Sequence, residues 1–241
     1  MDRKTGDLIG CLKFVEDEEE IGILQYLAAL PSELNHTVRP FGVWSVTGGS
    51  IITMPAAGNR LTKMTDLDTH LWSLTGQLFE AVQFMHDHNV AHMDLKPANI
   101  LVPSSYGRLT IINFGSSVRL RNKMDLRQGH AGTEGYMAPE VGNAKFSPIR
   151  ADLWSVGQVV KELCMLCRPS TYRDRLSDLS ELLLNNNPSK RPMMSEVLER
   201  MSNSEEGRAP TVRGERLRIP KAKVSMAIAT MPIATTPIAI A

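Results

Sequence analysis

The stretch His92-Met93-Asp94-Leu95-Lys96-Pro97-Ala98-Asn99 holds the residues best suited to chemistry. Asp94 is an acid that can take the proton of a hydroxyl. Lys96, two residues on, can stabilise negative charge as it develops. Asn99 offers a neutral oxygen to a metal ion. Asn113-Phe114-Gly115 follows 14 positions after Asn99 and supplies a second position of the metal-ligand kind, and Ala138-Pro139-Glu140 comes later. This is the layout needed to move a phosphoryl group onto a hydroxyl.

In combination these motifs resemble the catalytic loop, the DFG site and the APE site of eukaryotic protein kinases. The wording Asp-Leu-Lys-Pro-x-Asn is similar to the serine/threonine kinases. The resemblance implies that Asp94 accepts or orients the proton of the substrate hydroxyl and that Lys96 touches the transferring phosphoryl group. Asn99 and the residue at 113 would then hold the magnesium that bridges the phosphates of ATP. The family has an aspartate at that second position, and this chain has Asn113. Magnesium is a hard cation that favours charged oxygens, so the implied magnesium site is weakened. The resemblance further implies that Thr133 bonds near Asp94 and Lys96 and that Glu140 pairs with Arg191. Asp152 would accept bonds from the backbone of the catalytic loop. Met93 replaces the arginine that reads an activating phosphate, so that regulation is not expected.

Nearer the N-terminus, 5–13 resembles the strand that carries the ATP-contacting lysine. Lys13 would hold the α and β phosphates, and Glu20 would hold Lys13. Only seven positions separate the two, so either the helix is shortened or Glu19 serves instead. Met54-Pro55-Ala56-Ala57 falls where the hinge to adenine belongs. Met54 would gate the pocket behind adenine, with core packing as its simpler role. Pro55 has a C=O but no N–H, so it can only accept a bond; Ala57, or Ala56, would donate. No Gly-x-Gly-x-x-Gly occurs in the chain. The expectation is that the phosphate lid and two strands are absent and a sheet edge is left unpaired. The short interval between Leu166 and Leu182 implies that a substrate-docking helix is reduced or lost.

The elements that must position these residues can be read from pattern. A strand is expected over 8–14 and a helix over 17–30, whose first turn is crowded with acids. Residues 41–46 and 50–54 flank Thr47-Gly48-Gly49 as a hairpin. Residues 68–88 carry Leu71, Leu74, Leu78, Val82 and Met85 at helical spacing. Short strands are expected at 100–102 and 109–112, and helices at 152–166, 176–184 and 193–201. The fold class implied is α+β: a bilobal, kinase-like fold with an incomplete, small, β-rich N-lobe (1–55) and a larger helical C-lobe (58–201). Residues 202–241 read as a disordered, low-complexity tail rather than a membrane anchor, because Pro232 and Pro237 interrupt the apolar tract.

The 27 basic and 26 acidic residues leave a net charge near zero, which gives no reason to expect nucleic acid or a membrane as partner. Three cysteines cannot build a secreted disulfide framework. Cys164-x-x-Cys167 lacks a second pair and reads as buried helix rather than a zinc site. The expectation is a cytoplasmic monomer that is a serine/threonine kinase homologue with impaired activity, using ATP and magnesium and acting on a protein substrate. The alternatives are a weak or dead pseudokinase serving as a nucleotide-binding or scaffolding module, with a scaffold partner, or a truncated gene product.

Overall fold

A computed structural model describes residues 10–56, 58–103, 107–143 and 145–203. The expectations placed on Thr5 to Ile9, on Ala57 and on 204–241 lie outside these residues.

Alternation along β1 (Gly10–Val15) turns Lys13 and Val15 inward and leaves Leu12 and Phe14 exposed. β2 (Gly42–Val46) and β3 (Gly49–Pro55) form the expected hairpin. Gly48 at its turn has φ +85°, a conformation glycine adopts without strain. The three strands make one antiparallel sheet in the order β1-β3-β2, with Lys13 opposite Ile52. Pro55 extends β3 by one residue beyond the expected hairpin and sits at its end, opposite Gly10. Among the described residues, β1 pairs with β3 alone.

Between β1 and β2 runs α1 (Glu18–Ala28). Asp17 caps it, accepting from the backbone N–H of Glu19 at 2.8 Å. Glu18, Glu19 and Glu20 complement the positive end of the helix dipole. Glu20, Ile23, Leu24 and Leu27 are buried, and Glu19 is exposed.

The rest is mostly helical. β4 (Asn59–Arg60) leads into α2 (Leu67–Asp87), whose Leu71, Leu74, Leu78, Val82 and Met85 are all buried. β5 (Val90–Ala91) pairs with β8 (Val118–Arg119). β6 (Ile100–Val102) lies between β4 and β7 (Thr110–Ile111). β7 is shorter than the expected 109–112. Leu109 N–H turns to the side chain of Gln77 and Ile112 N–H to the carbonyl of Asn99.

α3 (Pro148–Leu166) starts before its apolar run. Ser147 caps it and Pro148 occupies its first turn, where a missing N–H costs nothing. α4 (Thr171–Leu183) follows α3 at once, and α5 (Met194–Ser202) packs on α2. One contiguous core runs from Val15 and Ile52 through α2 and α3 to Met201. A smaller cluster of Ala91, Met93, Ala138, Val141, Phe146 and Ala151 anchors the segment after Gly115. A strand-rich N-terminal part followed by a helical part is the α+β class expected. Cys164 and Cys167 are free and buried. Among the described residues, no helix is long and apolar enough to cross a membrane.

Candidate active site

The loop between β5 and β6 is held from below by a buried carboxylate. Asp152, on α3 and fully buried, accepts from His92 N–H at 2.7 Å and from Met93 N–H at 2.8 Å. His86 Nε2 lies 3.0 Å from the same carboxylate. These bonds hold Met93 at φ +64°, where a side chain of its kind costs about 1–2 kcal/mol. His92 Nε2 is 3.0 Å from the carbonyl of Ile112, and its Nδ1 accepts from Asp94 N–H at 3.3 Å. That pattern needs a neutral ring with its proton on Nε2. Burial lowers the pKa of His92 and outweighs the opposing pull of Asp152. The ring of Phe114 meets His92 edge-on at 4.9 Å and ties the Asn-Phe-Gly segment to the loop.

On this base Asp94, Lys96 and Thr133 form a closed triangle. Thr133 Oγ1 donates to Asp94 Oδ1 at 2.6 Å and accepts from Lys96 Nζ at 2.5 Å. Lys96 Nζ is 2.9 Å from Asp94 Oδ2. Asn99 Nδ2 donates to the carbonyl of Asp94 at 2.7 Å and to its Oδ2 at 2.9 Å. Burial alone would raise the Asp94 carboxyl. The bonds from Thr133, Lys96 and Asn99 together outweigh it and hold the pKa below the usual carboxylate value. Asp94 is therefore ionised at neutral pH.

A second chain of bonds reaches the same acid from the sheet. Lys13 Nζ donates to Glu20 Oε1 at 2.6 Å and to Asn113 Oδ1 at 3.3 Å. Asn113 Nδ2 in turn donates to Asn99 Oδ1 at 3.4 Å. Both amide oxygens of the candidate metal pair thus already accept a hydrogen bond. Asn113 has φ +67°, a left-handed conformation that asparagine tolerates better than most residues.

Lys13, Met54, Pro55, Lys96, Asn99 and Asn113 line a single cleft of about 520 Å³. Glu20 joins it through Lys13, and Asp94 through Lys96 and Asn99. Met54 both lines the cleft and packs against the core. A larger cavity of about 710 Å³ shares only Pro55 with this cleft and holds none of the loop residues. Sequence reasoning did not single out Arg60, which lines the cleft, or His86, which supports Asp152. Arg60 lies just after the hinge stretch, but nothing in its own sequence context marks it. At the far side of the segment, Arg191 makes a two-pronged bond to Glu140, at 2.6 and 2.8 Å.

The family model for the protein kinase domain matches residues 46–176, more than half of the chain. Calcium-dependent protein kinase 6 of Plasmodium berghei (strain Anka) is 32% identical over 167 residues, which are 66% of this chain and 11% of that protein. Myosin light chain kinase 3 of Rattus norvegicus is 38% identical over 108 residues, 42% of this chain and 14% of that protein. Serine/threonine-protein kinase 17A of Oryctolagus cuniculus is 41% identical over 86 residues, 35% of this chain and 21% of that protein. The matches thus span about a tenth to a fifth of the length of these relatives. With its loop, its Asn-Phe-Gly segment and its Glu140–Arg191 pair in the order the motifs require, this chain belongs to the protein kinase domain family.

Proposed function

We propose that this chain is a serine/threonine-type kinase homologue that binds ATP and directs a protein hydroxyl at its terminal phosphate, with turnover impaired on the metal side. The observation that carries the reading is the closed triangle of Asp94, Lys96 and Thr133, which meets the cleft through Lys96. A serine or threonine hydroxyl approaching the cleft competes with Thr133 for Asp94 Oδ1. Asp94 is a weak base, so it orients the hydroxyl first and takes the proton late, as the new O–P bond forms and the bond to the departing ADP breaks. Lys96 carries the charge on the phosphoryl group in transit. Lys13, fixed by Glu20, meets the α and β phosphates. Met54 and Pro55 face adenine, with Pro55 as acceptor only and Ala57 or Ala56 as donor.

The group that the family implies on the other side is magnesium. Asn99 and Asn113 fit it poorly. Both are neutral, and both offer oxygens that already accept hydrogen bonds. The kinase-like domain is read as 1–201, with 1–55 and 58–201 as its two lobes and 202–241 as an appended tail. We read it as a cytoplasmic monomer whose partner is a protein, not nucleic acid or a membrane.

Transfer of labelled phosphate from ATP to a generic protein substrate, beside an Asp94→Ala control, tests the reading. A signal above the control supports it; equal signals sink it. The same amide pair favours a second reading, a pseudokinase that binds nucleotide or partner without turnover. Activity that appears only in Asn113→Asp selects that second reading.

A further inference from the structure

We infer that the cleft takes a nucleoside triphosphate as the free anion, without a divalent ion, and that magnesium opposes binding instead of supporting it. The inference rests on the nucleotide reading above and concerns the form in which the nucleotide enters.

Hydrogen bonding is the first support. From Lys13 to Asp94 the polar groups are joined in series: ammonium to Asn113 Oδ1, Asn113 Nδ2 to Asn99 Oδ1, Asn99 Nδ2 to the Asp94 carboxylate. Each of the two amide oxygens thus already has a donor within the series. A metal bound at both amide oxygens would have to displace Lys13 from one and Asn113 from the other. In exchange it would gain two neutral ligands, the weaker kind for a hard cation. The third oxygen donor nearby, Asp94, is held by Thr133, Lys96 and Asn99.

Charge is the second support. Among the described residues, the charged ones lining the cleft are Lys13, Arg60 and Lys96, and none of them is a carboxylate. Glu20 pairs with Lys13 and Asp94 with Lys96. Arg60 has no carboxylate within ion-pair distance among the described residues. One positive charge is left over, and a carboxylate at position 113 would cancel it. Magnesium removes half of the negative charge of a free triphosphate. A cleft with a surplus cation attracts the free anion more strongly than its magnesium complex. Lys13 and Arg60 then do the neutralising that the ion does elsewhere.

The test is calorimetric titration of the full chain with ATP, once in EDTA and once in excess magnesium, at matched ionic strength because screening weakens both. Melting curves without nucleotide establish that each protein is folded. The unmodified chain is expected to bind about tenfold more tightly in EDTA than in magnesium. Asn113→Asp, an isosteric change at a φ that aspartate also tolerates, is expected to reverse that order. Arg60→Ala is expected to weaken binding about tenfold in EDTA and by less in magnesium. Tighter binding in magnesium by the unmodified chain overturns the inference and leaves the nucleotide reading standing. No binding by the folded chain in either buffer overturns both.

Discussion

Lys13 and Asn113 stand a hundred residues apart in sequence and are joined by a hydrogen bond of 3.3 Å, in which the ammonium donates to the amide oxygen. The shorter bond of the same ammonium, 2.6 Å, goes to the buried Glu20. One cation therefore ties β1, α1 and the Asn-Phe-Gly segment together. With an aspartate at 113 the same oxygen would carry charge and could face a metal and the lysine at once. With asparagine it is a neutral acceptor already in use.

Asn113→Asp is accordingly expected to raise phosphate transfer in magnesium buffer. A restored charged ligand is worth several kcal/mol of transition-state stabilisation, and about 4 kcal/mol corresponds to roughly a thousandfold in rate. The initial rate at saturating ATP, with Asp94→Ala in the same background as control, measures it. An unchanged rate would place the limit on turnover away from position 113.

Gly115 tests the same junction sterically. A Cβ built there would lie 3.3 Å from Glu20 Oε2 and 3.8 Å from Lys13 Nζ. Glu20 is buried and cannot swing away freely, so the added methyl must push the Lys13–Glu20 pair. Gly115→Ala is expected to lose about 1–2 kcal/mol of stability, the ordinary cost of mild overpacking. ATP affinity should fall with it, because the displaced lysine is the proposed phosphate contact. A drop in melting temperature with unaltered affinity would separate Lys13 from that role.

The loop side of the site could be read from residue order because its parts are local. The spacing of Asp94, Lys96 and Asn99 lies within one loop, and the apolar period of 68–88 specifies the buried face of α2. The choice between Glu19 and Glu20 was open on spacing alone. It is settled by the turn of α1, which buries Glu20 beside Lys13 and leaves Glu19 exposed in the first turn. Other features depend on contacts that no local pattern encodes. Arg60 reaches the cleft through β4, whose partner β6 lies some forty residues on. His86 meets Asp152 across 66 positions. Nothing in a single sequence marks Met93 for a left-handed backbone, which follows from the grip of Asp152 on its N–H. The start of α3 was available in Ser147 and Pro148, but the apolar run that begins later dominated the pattern.

The depressed pKa of Asp94 makes a prediction about pH. A carboxyl whose folded pKa lies below its unfolded value, near 3.9, adds stability that is fully present above that value. The contribution is lost as pH falls through the folded pKa. Asp94→Asn lacks this contribution at every pH. Whatever the offset between the two proteins at pH 7, acidification below about pH 4 should therefore cost the unmodified chain more than the variant. Melting temperatures between pH 3 and pH 7 read this directly. Parallel curves would mean that the triangle with Thr133 and Lys96 does not hold the charge in solution.

The Glu140–Arg191 pair predicts an asymmetry. Arg191 is 1% exposed and spends its donors on Glu140, on the carbonyl of Asn185 at 2.9 Å and on that of Arg150 at 2.7 Å. The Glu140 side chain is 18% exposed. Arg191→Ala strips the interior of a charge, a volume and the partner of Glu140, and it takes a donor from the carbonyls of Asn185 and Arg150. Breaking such a pair costs about 3–5 kcal/mol. Glu140→Ala leaves Arg191 with both carbonyls and the face of Trp154, whose ring centre lies 5.0 Å away. The guanidinium stays partly satisfied and the loss should be smaller, about 1–3 kcal/mol. Urea unfolding with a common slope for the three proteins gives both values. Because the pair anchors the end of the segment carrying Thr133, Arg191→Ala should also loosen the triangle at Asp94 and shift its acid titration upward. Equal losses in the two variants, or an unmoved titration, would detach this buried pair from the site it appears beside in sequence.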